Sequence, residues 1–419
     1  MIDQSQLLRL LGVPQIAIDR VEITDADVLE IHVHGTEDGA QCHRCGRRIT
    51  EAHGLGQERR LRHVPIFEHR TEILIRPKRY RCPYCHDHPT TTQRLDWYDP
   101  RSAFTRAFEQ SLLRALINST LEDVGHKDAI TPEQLEGILD RYVPSGIDWA
   151  TLPALPVLGL DEIALTKGHG NFVVIVSAGV EDTPSILAVL KDRKRATVEA
   201  FLRTIPKPLK RTVRVVCTDL YSGFIGAAKA VFGKHVAICA DRFHVARLYR
   251  DAVETLRKQE LRRLKRDLSK AEYGGLKNVH WILRKSESDL SVEERRIRAR
   301  LFAHSPQLAQ AHALGQALTD VYDMPLSKGQ AKRKLSGWMR RVKNAEVTCF
   351  QSFLKTLRRH WDEITNYFTE RHTSGFVEGL NNKIKVLKRR CYGLSNLRRL
   401  YQRVYLDLCG YRVFARSAM

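Results

Sequence analysis

Carboxylates at the ends of apolar segments indicate a site for metal-dependent phosphoryl transfer. Three apolar runs end in an acid: VLGLD in Asp161, VVCTD in Asp219 and AICAD in Asp241. Such runs are typical of buried strands, so the acids are expected together at one end of a sheet. Glu378, in a predicted helix, can complete them. Mg²⁺ or Mn²⁺ prefers oxygen ligands, and two ions about 4 Å apart can activate a water or a 3′-hydroxyl and stabilise the leaving oxygen.

Each acid taken alone also has an ordinary structural interpretation. An Asp that ends a strand is most often a turn or helix-capping residue. Asp219 before LYSGF and Asp241 before RFHV could each cap the next helix. The conjunction of three strand ends with a helical Glu favours the metal site.

Glu378 lies in the basic segment SGFVEGLNNKIKVLKRR, residues 374–390. At about 100° per residue, it falls on the outward face of a helix whose apolar stripe comprises Val377, Leu380, Ile384 and Leu387. Metal ions between this carboxylate and a phosphodiester backbone would explain its place among cations. Polar and basic neighbours would then clamp the phosphates: Asn382, Lys385, Lys388 and Arg389.

Two CxxC motifs predict a zinc ribbon. CHRC supplies Cys42 and Cys45, and CPYC supplies Cys82 and Cys85. Each pair offers two thiolates to one tetrahedral, structural Zn²⁺, whereas the alternative is four free cysteines. Nearby histidines would have to displace a thiolate and are better suited to the surface or to phosphate: His43, His86 and His88.

Composition favours a large polyanionic partner. The 419 residues include 69 Lys and Arg against 48 Asp and Glu, a formal net charge of +21 spread along the chain. Nucleic acid is therefore expected before an anionic membrane. The longest apolar run, FVVIVSAGV, is too short to span a bilayer, and the start MIDQSQLLRL lacks the order of a signal peptide. A cytosolic or nucleoid location is expected.

The first 150 residues predict two DNA-binding domains. Residues 1–100 alternate apolar and polar residues and predict a β-rich zinc domain; residues 101–150 have helical periodicity and predict a helix-turn-helix. The second helix of this motif is acidic, which is unusual for a reader of the major groove. DNA recognition is thus expected to rest more on the zinc domain and on a basic cluster that should project from one side of a strand or its turn, with a plain solvated face as the alternative: Arg76, Lys78, Arg79 and Arg81.

The rest of the chain predicts an α/β core interrupted by an all-α insertion. Residues 151–246 contain three early strands and then alternating helices and strands, which predicts a sheet of mixed direction. Residues 247–371 are almost entirely amphipathic helix, and residues 372–419 return to the core. The fold class is therefore multidomain α/β.

Four blocks resemble the ISL3 family of bacterial insertion-sequence transposases: DEIALTKGHG, CTDLYSGF, ADRFHV and GFVEGLNNKIKVLKRRCYG. The resemblance extends over nearly the whole chain. It implies an RNase H-like core with Asp161, Asp219 and Glu378 as a DDE triad, and Asp241 with His244 as an auxiliary pair. It also implies an insertion that holds the transposon end, where Trp281 or Trp338 could meet a flipped base, although a Trp on an amphipathic helix is more often core.

The leading interpretation is a DNA transposase. It would bind the terminal inverted repeats of its element, cleave there and join the freed 3′-hydroxyl to target DNA, as a homodimer on the DNA. Two other classes stay open: a zinc and helix-turn-helix transcription regulator with an inactive core, and an RNase H-like nuclease without strand joining. A regulator has no need for acids at three strand ends, and the zinc ribbon and the insertion favour specific end binding over a plain nuclease.

Overall fold

The computed structural model describes residues 4–165, 172–180, 183–370, 375–391 and 394–414. Side chains at 4, 5, 180, 183, 370, 375–378 and 381 lie outside that description. The chain divides into a first unit, residues 1–143 with 406–419, and a second unit, residues 144–405. In the described part of the chain, no helix is long and apolar enough to cross a membrane.

The first unit is rich in short strands. It contains, in chain order, α1 (Gln4–Leu11), β1 (Ile16–Ile23), β2 (Val28–Gly35), β3 (Ala40–Gln41), β4 (Arg48–Ile49), β5 (Glu51–Leu55), β6 (Arg59–Ile66), β7 (His69–Ile75), β8 (Lys78–Arg81) and β9 (Thr90–Thr92). One sheet has the order β1-β2-β7-β6, another the order β5-β8-β9, and β3 pairs with β4. Ile31 and Val33 are buried whereas His32 and His34 are not. The predicted alternation is therefore confirmed for β2.

Three helices follow in the first unit: α2 (Arg106–Leu116), α3 (Leu121–Asp128) and α4 (Pro132–Tyr142). Thr120 caps α3, and Thr131 caps α4 in a reciprocal capping box with Gln134. The turn between α3 and α4 requires a glycine at Gly125, because an added Cβ would lie 2.6 Å from the carbonyl oxygen of Ile130. The helices predicted from the sequence are present; their role as a DNA-binding helix-turn-helix stays a prediction.

The second unit contains a sheet of mixed direction. Its early elements are β10 (Val157–Ala164), β11 (Phe172–Val180), β12 (Thr183–Leu190), α5 (Arg195–Thr204), α6 (Lys207–Lys210), β13 (Val215–Thr218), α7 (Ser222–Phe232) and β14 (Ala237–Ala240). The order is β12-β11-β10-β13-β14. Neighbours from β12 to β10 are antiparallel and those from β10 to β14 are parallel. The mixed α/β class predicted from the sequence is confirmed.

Each face of this sheet has its own hydrophobic core. Leu158, Leu160 and Val216 pack with Val198 and Phe224 of α5 and α7. Residues one position away along the strands, including Cys217 and Cys239, pack into the core of the helical segment. This alternation follows from the period of two in a strand.

Helices make up the remainder of the second unit. They are α8 (Arg242–Asp267), α9 (Lys270–Gly274), α10 (Val279–Ile282), α11 (Val292–His304), α12 (Pro306–Asp323), α13 (Lys328–Asn344), α14 (Gln351–Arg359), α15 (Trp361–Glu370), α16 (Gly375–Arg390) and α17 (Leu397–Phe414). Trp338 is core, with 2% exposure and its Nε1 donating to the carbonyl oxygen of Leu314 at 2.8 Å. Trp281 is 62% exposed. The two candidate aromatics therefore have different surroundings.

Helix α17 begins in the second unit and ends in the first, where residues 406–414 pack with α2. Within the first unit, the Asn118 amide donates to Oδ1 of Asp407 at 2.9 Å, and Nη1 of Arg114 donates to the carbonyl oxygen of Phe414 at 3.1 Å. A Cβ at Gly410 would lie 2.8 Å from Cδ1 of Ile117. The first unit is thus built from two distant parts of the sequence.

Candidate active site and metal centre

Asp161, Asp219 and Asp241 form one row across neighbouring parallel strands. Gly159 of β10 pairs with Cys217 of β13, and Cys217 pairs with Cys239 of β14. Each acid lies two residues after one of these three paired residues. Because strand side chains alternate between faces with a period of two, the three carboxylates leave the same face of the sheet. The row joins residues that are far apart in the sequence. We name these three residues the catalytic row, after the role that the sequence predicts for them.

The structure differs from the prediction in the position of Asp161. This residue lies inside β10 and pairs with Ile175 of β11, whereas the prediction placed it at a strand end. Pairing of β10 with β13 stops at Leu160 and Thr218, but pairing with β11 continues to Ala164. The longer antiparallel partner therefore extends the strand past the acid.

Asp219 and Asp241 also have the local structural roles that the sequence left open. Oδ1 of Asp219 accepts from the Tyr221 amide at 3.0 Å, and Oδ1 of Asp241 accepts from the Phe243 amide at 2.8 Å at the start of α8. These contacts fix the direction of each side chain. They involve one oxygen of each carboxylate, so the capping role is compatible with a role in metal binding.

The catalytic row concentrates negative charge. Burial is the main reason that the pKa of Asp161 is raised to about 6, and Asp219 and Asp241 raise it as well, against the opposing effect of His244. Burial likewise raises the pKa of Asp219. Oxygen donors whose charge is poorly compensated are suited to divalent cations.

His244 lies beside the row and pairs with Asp241. Its Nδ1 is 3.1 Å from Oδ2 of Asp241, and Asp241 is 8% exposed. Asp241 is the main cause that raises the pKa of His244, with further contributions from Asp161 and Asp219. The structure thus brings together the two residues expected as an auxiliary pair.

Glu378 belongs to α16, but its side chain, like that of Val377, lies outside the described residues. The other predicted apolar positions are buried and face the core: Leu380, Ile384 and Leu387. The outward positions are exposed: Asn382, Lys385 and Arg389. The predicted orientation of the helix is confirmed for these residues.

Lys388 differs from the expectation of a phosphate contact. Its Nζ donates to the carbonyl oxygen of Ala164 at the end of β10, and burial lowers its pKa. The ammonium group therefore attaches α16 to the strand that carries Asp161. The helical periodicity of α16 predicts which of its side chains face outward, but it could not predict this contact because Ala164 is remote in the sequence.

The four predicted DNA-binding cations of the first unit do not project from one side. Lys78 shares a strand face with Tyr80, and both contact Oδ1 of Asp38, at 2.6 and 3.2 Å. Arg79 lies on the other face, where its Nη2 donates to Oγ1 of Thr90 at 2.7 Å. Two members remain exposed: Arg76, which is 3.4 Å from Glu58, and Arg81. The expectation of a single basic side is wrong because β8 alternates.

Cys42, Cys45, Cys82 and Cys85 form the predicted metal centre. Their Sγ atoms all lie within 4.8 Å of one another. The Sγ separations are 3.9 Å for Cys42 and Cys85 and 3.7 Å for Cys45 and Cys82. A tetrahedral ion with Zn–S bonds of about 2.3 Å requires sulfur separations of about 3.8 Å. The thiolates therefore fit one Zn²⁺.

Local contacts in the ribbon also suit a thiolate site. Backbone amides of Cys45 and then Arg44 lower the pKa of Cys42 to about 6. His43 contacts Oγ1 of Thr91 at 3.0 Å, and Nδ1 of His88 contacts the carbonyl oxygen of Cys82 at 3.0 Å. These two histidines have other partners, in agreement with a four-cysteine site.

Sequence reasoning missed two charged residues beside the catalytic row, Glu162 and Arg193. Nη1 of Arg193 lies 3.0 Å from Oε2 of Glu162. Glu162 directly follows Asp161, which is the one local signal that could have drawn attention to it. Arg193 follows β12 and reaches the row only through the folded sheet.

Comparison with known proteins finds a family match in each of the two regions that contain these residues. Residues 158–404 match the ISL3 family model, whose description is transposase, and residues 38–85 match the zinc-finger of transposase IS204/IS1001/IS1096/IS1165. The transposase for insertion sequence element IS1001 of Bordetella parapertussis is 25% identical, covering 94% of this chain and 95% of the relative. The transposase for insertion sequence element IS1557 of Mycobacterium tuberculosis is 22% identical, covering 89% of this chain and 86% of the relative.

Proposed function

This chain belongs to the ISL3 family of insertion-sequence transposases, and we propose that it moves its element by two-metal DDE chemistry on DNA. The observation that carries the proposal is the catalytic row, in which Asp161 and Asp219 leave one face of the sheet from adjacent parallel strands. The strand order, antiparallel from β12 to β10 and parallel from β10 to β14, supports the RNase H-like core that the family implies. The helical insertion between α8 and α15 then interrupts this core.

Asp161, Asp219 and Glu378 would hold two Mg²⁺ or Mn²⁺ ions. When bound, these ions supply an activated water or 3′-hydroxyl and charge stabilisation for the leaving oxygen. Asp241 has a different task, because its contact with Nδ1 orients His244 and favours the imidazolium form. Nε2 of His244 is then available to donate to a DNA oxygen beside the row.

The proposed partner is double-stranded DNA, first the terminal inverted repeats and then the target. The zinc ribbon and the helices α2 to α4 would bind the repeats, with Arg76 and Arg81 as exposed phosphate contacts. Near the active site, Asn382, Lys385 and Arg389 would contact the backbone around the scissile bond. Two bound ends imply a homodimer on DNA, working at the nucleoid in the cytoplasm.

A transcription regulator with an inactive core is the second candidate. It would use the same zinc ribbon and basic surface. Three neighbouring carboxylates, of which Asp241 is buried and Asp161 and Asp219 are half-buried, are costly without a ligand, and a regulator gains nothing from that cost. The catalytic row therefore favours the enzyme.

A cleavage and joining assay tests the proposal. The substrate is a labelled duplex carrying the inverted repeat found in the DNA that flanks the gene, and the control is Asp219→Asn. We expect metal-dependent nicks with 3′-hydroxyl ends and joining of those ends to a plasmid, both lost in the control. Binding without cleavage would identify a regulator, and cleavage without joining a nuclease.

A further inference from the structure

Arg193 is held beside the catalytic row by three side chains. Its Nη1 lies 3.0 Å from Oε2 and 3.4 Å from Oε1 of Glu162. Its guanidinium carbon lies 5.0 Å from the ring centre of Phe172 and 5.3 Å from that of Tyr221. A carboxylate and two aromatic rings thus restrict an otherwise flexible side chain.

Two of these three side chains belong to the segments that carry the catalytic acids. Glu162 directly follows Asp161 on β10. The Tyr221 amide donates to Oδ1 of Asp219, so its ring is tied to the second acid through its own backbone. Arg193 is therefore connected to both Asp161 and Asp219 by short covalent and hydrogen-bonded paths.

The side of the row on which Arg193 lies follows from strand geometry. Successive side chains of β10 leave opposite faces, so Glu162 leaves the strand on the face opposite Asp161. Arg193 approaches from Glu162 and is near enough to Asp219 for that carboxylate to add to the effect of Glu162 in raising the pKa of Arg193. His244 pairs with Asp241 on the side of the acids. Arg193 and His244 thus supply positive charge from two different sides.

The ion pair between Arg193 and Glu162 does not stabilise the fold enough to account for this arrangement. The Arg193 side chain is 45% exposed, and ion pairs with such exposure contribute little to folding. A guanidinium has five N–H donors in a rigid fork, and Nη1 of Arg193 is the nitrogen that contacts Glu162. The rest of the fork is suited to two oxygens of a phosphate.

We propose that Arg193 is a phosphate-binding residue of the active site, oriented by Glu162, Phe172 and Tyr221 to hold a non-bridging oxygen of the DNA strand at the catalytic row. The inference rests on the proposed function and adds a binding group to it. Arg193 brings positive charge to the phosphodiester as negative charge develops during its displacement. Glu162 acts through Arg193 and is a positioning residue.

The test compares Arg193→Ala with the matched control Arg195→Ala. Arg195 is also exposed and also pairs with a glutamate, Glu199, which retains Arg203 when Arg195 is removed. Nicking of the labelled inverted-repeat duplex is measured in single turnover, with melting temperature and duplex affinity measured alongside. We expect Arg193→Ala to nick about 100-fold more slowly at an unchanged melting temperature, and the control to nick like the wild type.

Chemical rescue separates phosphate binding from a structural role. Added guanidinium chloride, below denaturing concentration, is expected to restore part of the nicking by Arg193→Ala and to leave the control unchanged. Arg193→Lys keeps the charge but loses the fork, so its rate should fall between those of wild type and Arg193→Ala. Glu162→Gln should slow nicking less than Arg193→Ala and should not respond to guanidinium.

The outcomes that overturn the inference are distinct from failure of the proposed function. Nicking by Arg193→Ala at the rate of the control would overturn the inference and leave the function intact. A lower melting temperature with no rescue would assign Arg193 a structural role. If Arg193→Ala does not fold, a wild-type rate in Arg193→Lys would overturn the inference. A wild-type protein that does not nick would refute the function, and the inference with it.

Discussion

Asp161 and Asp219 leave the same face of the sheet from neighbouring parallel strands, each two residues beyond the register pair of Gly159 and Cys217. The two acids are close enough that Asp219 contributes to the raised pKa of Asp161, after burial as the main cause. Like charges held together in a partly buried place oppose folding unless cations accompany them. This part of the sheet therefore holds its carboxylates at a cost in stability.

Asp161→Asn should stabilise the metal-free protein above about pH 6. Because the pKa of Asp161 is raised from 3.8 to about 6 in the folded state, its favourable contribution is full below the unfolded value and is lost as pH rises through about 6. Asn has no such loss. We expect a gain on the order of 1 kcal/mol in the free energy of unfolding near pH 8, after allowance for solvent screening, and almost none below the unfolded pKa of 3.8.

Denaturant titrations in EDTA measure this effect, and excess Mg²⁺ supplies the control. Added Mg²⁺ should stabilise the wild type more than Asp161→Asn, because the ion binds the folded carboxylates. An equal response of both proteins to Mg²⁺ would show that Asp161 is not a metal ligand.

Glu378→Gln should separate binding from chemistry. The buried stripe of α16 at Leu380, Ile384 and Leu387 is unchanged, so folding is expected to be normal. Loss of one negative charge near phosphate should leave end binding equal or slightly tighter. Nicking should fall by several orders of magnitude, as in Asp161→Asn and Asp219→Asn.

Fluorescence anisotropy and nicking of the same labelled end make this comparison, with Glu293→Gln as an exposed-acid control from α11. If Glu378→Gln nicks at nearly the wild-type rate, Glu378 is only a surface residue and has no catalytic role. Loss of both folding and binding would make its role structural.

His244→Gln should alter the pH dependence of cleavage. Asp241 is the main cause that raises the pKa of His244 above 6.5, so the imidazolium and its stabilising pairing are full below the unfolded pKa and are lost as pH rises through the folded value. If His244 donates to DNA, nicking by the wild type should decline over that rise, and the variant should lack the decline and be slower at low pH. A parallel fall in melting temperature and nicking at every pH would favour a structural histidine.

Removal of zinc should affect DNA binding before it affects the second unit. We expect one Zn²⁺ per chain, lost in Cys82→Ser and in Cys45→Ser, with weaker end binding. Cys45 is exposed whereas Cys82 is buried, so Cys45→Ser tests the metal with less disturbance of packing. Cys391→Ser, outside the ribbon, should retain the ion. Metal analysis that finds no zinc in protein prepared without chelator would contradict the assignment.

Arg81→Ala should weaken DNA binding more than Lys78→Ala. The Lys78 ammonium already pairs with Asp38 at 2.6 Å, whereas Arg81 is exposed. Removing a phosphate contact reduces the slope of log K against log salt by about 1, and we expect that change for Arg81 alone. Anisotropy titrations over a range of salt provide the slopes, and equal slopes for the two variants would exclude Arg81 as the contact.

Features that depend on local pattern could be predicted from the sequence. The period of α16 identifies Leu380, Ile384 and Leu387 as buried because a helix places them on one stripe. The CxxC motifs identify their four cysteines because zinc accepts few arrangements of thiolates. Apolar runs ending in Asp219 and Asp241 identify strand ends because buried strands exclude charge.

Features that depend on packing between remote segments could not be predicted. In the sequence, Lys388 is one of several cations on a basic helix. Its hydrogen bond to the carbonyl oxygen of Ala164 forms only because the fold brings α16 to the end of β10. The contact of Arg193 with Glu162 likewise requires β12 and β10 to be in place. Asp161 follows an apolar run and therefore resembles the end of a strand. The residues after it do not indicate that β10 continues in its pairing with β11.

The two-part construction of the first unit has a consequence for synthesis. Asp407 and Phe414 provide contacts to Asn118 and Arg114, and a ribosome makes them only after the whole second unit. A nascent or prematurely terminated chain therefore carries the zinc ribbon without the segment that completes its unit. If the first unit binds transposon ends as proposed, incomplete products would lack the segment that packs on α2 and would bind those ends less well than the finished polypeptide.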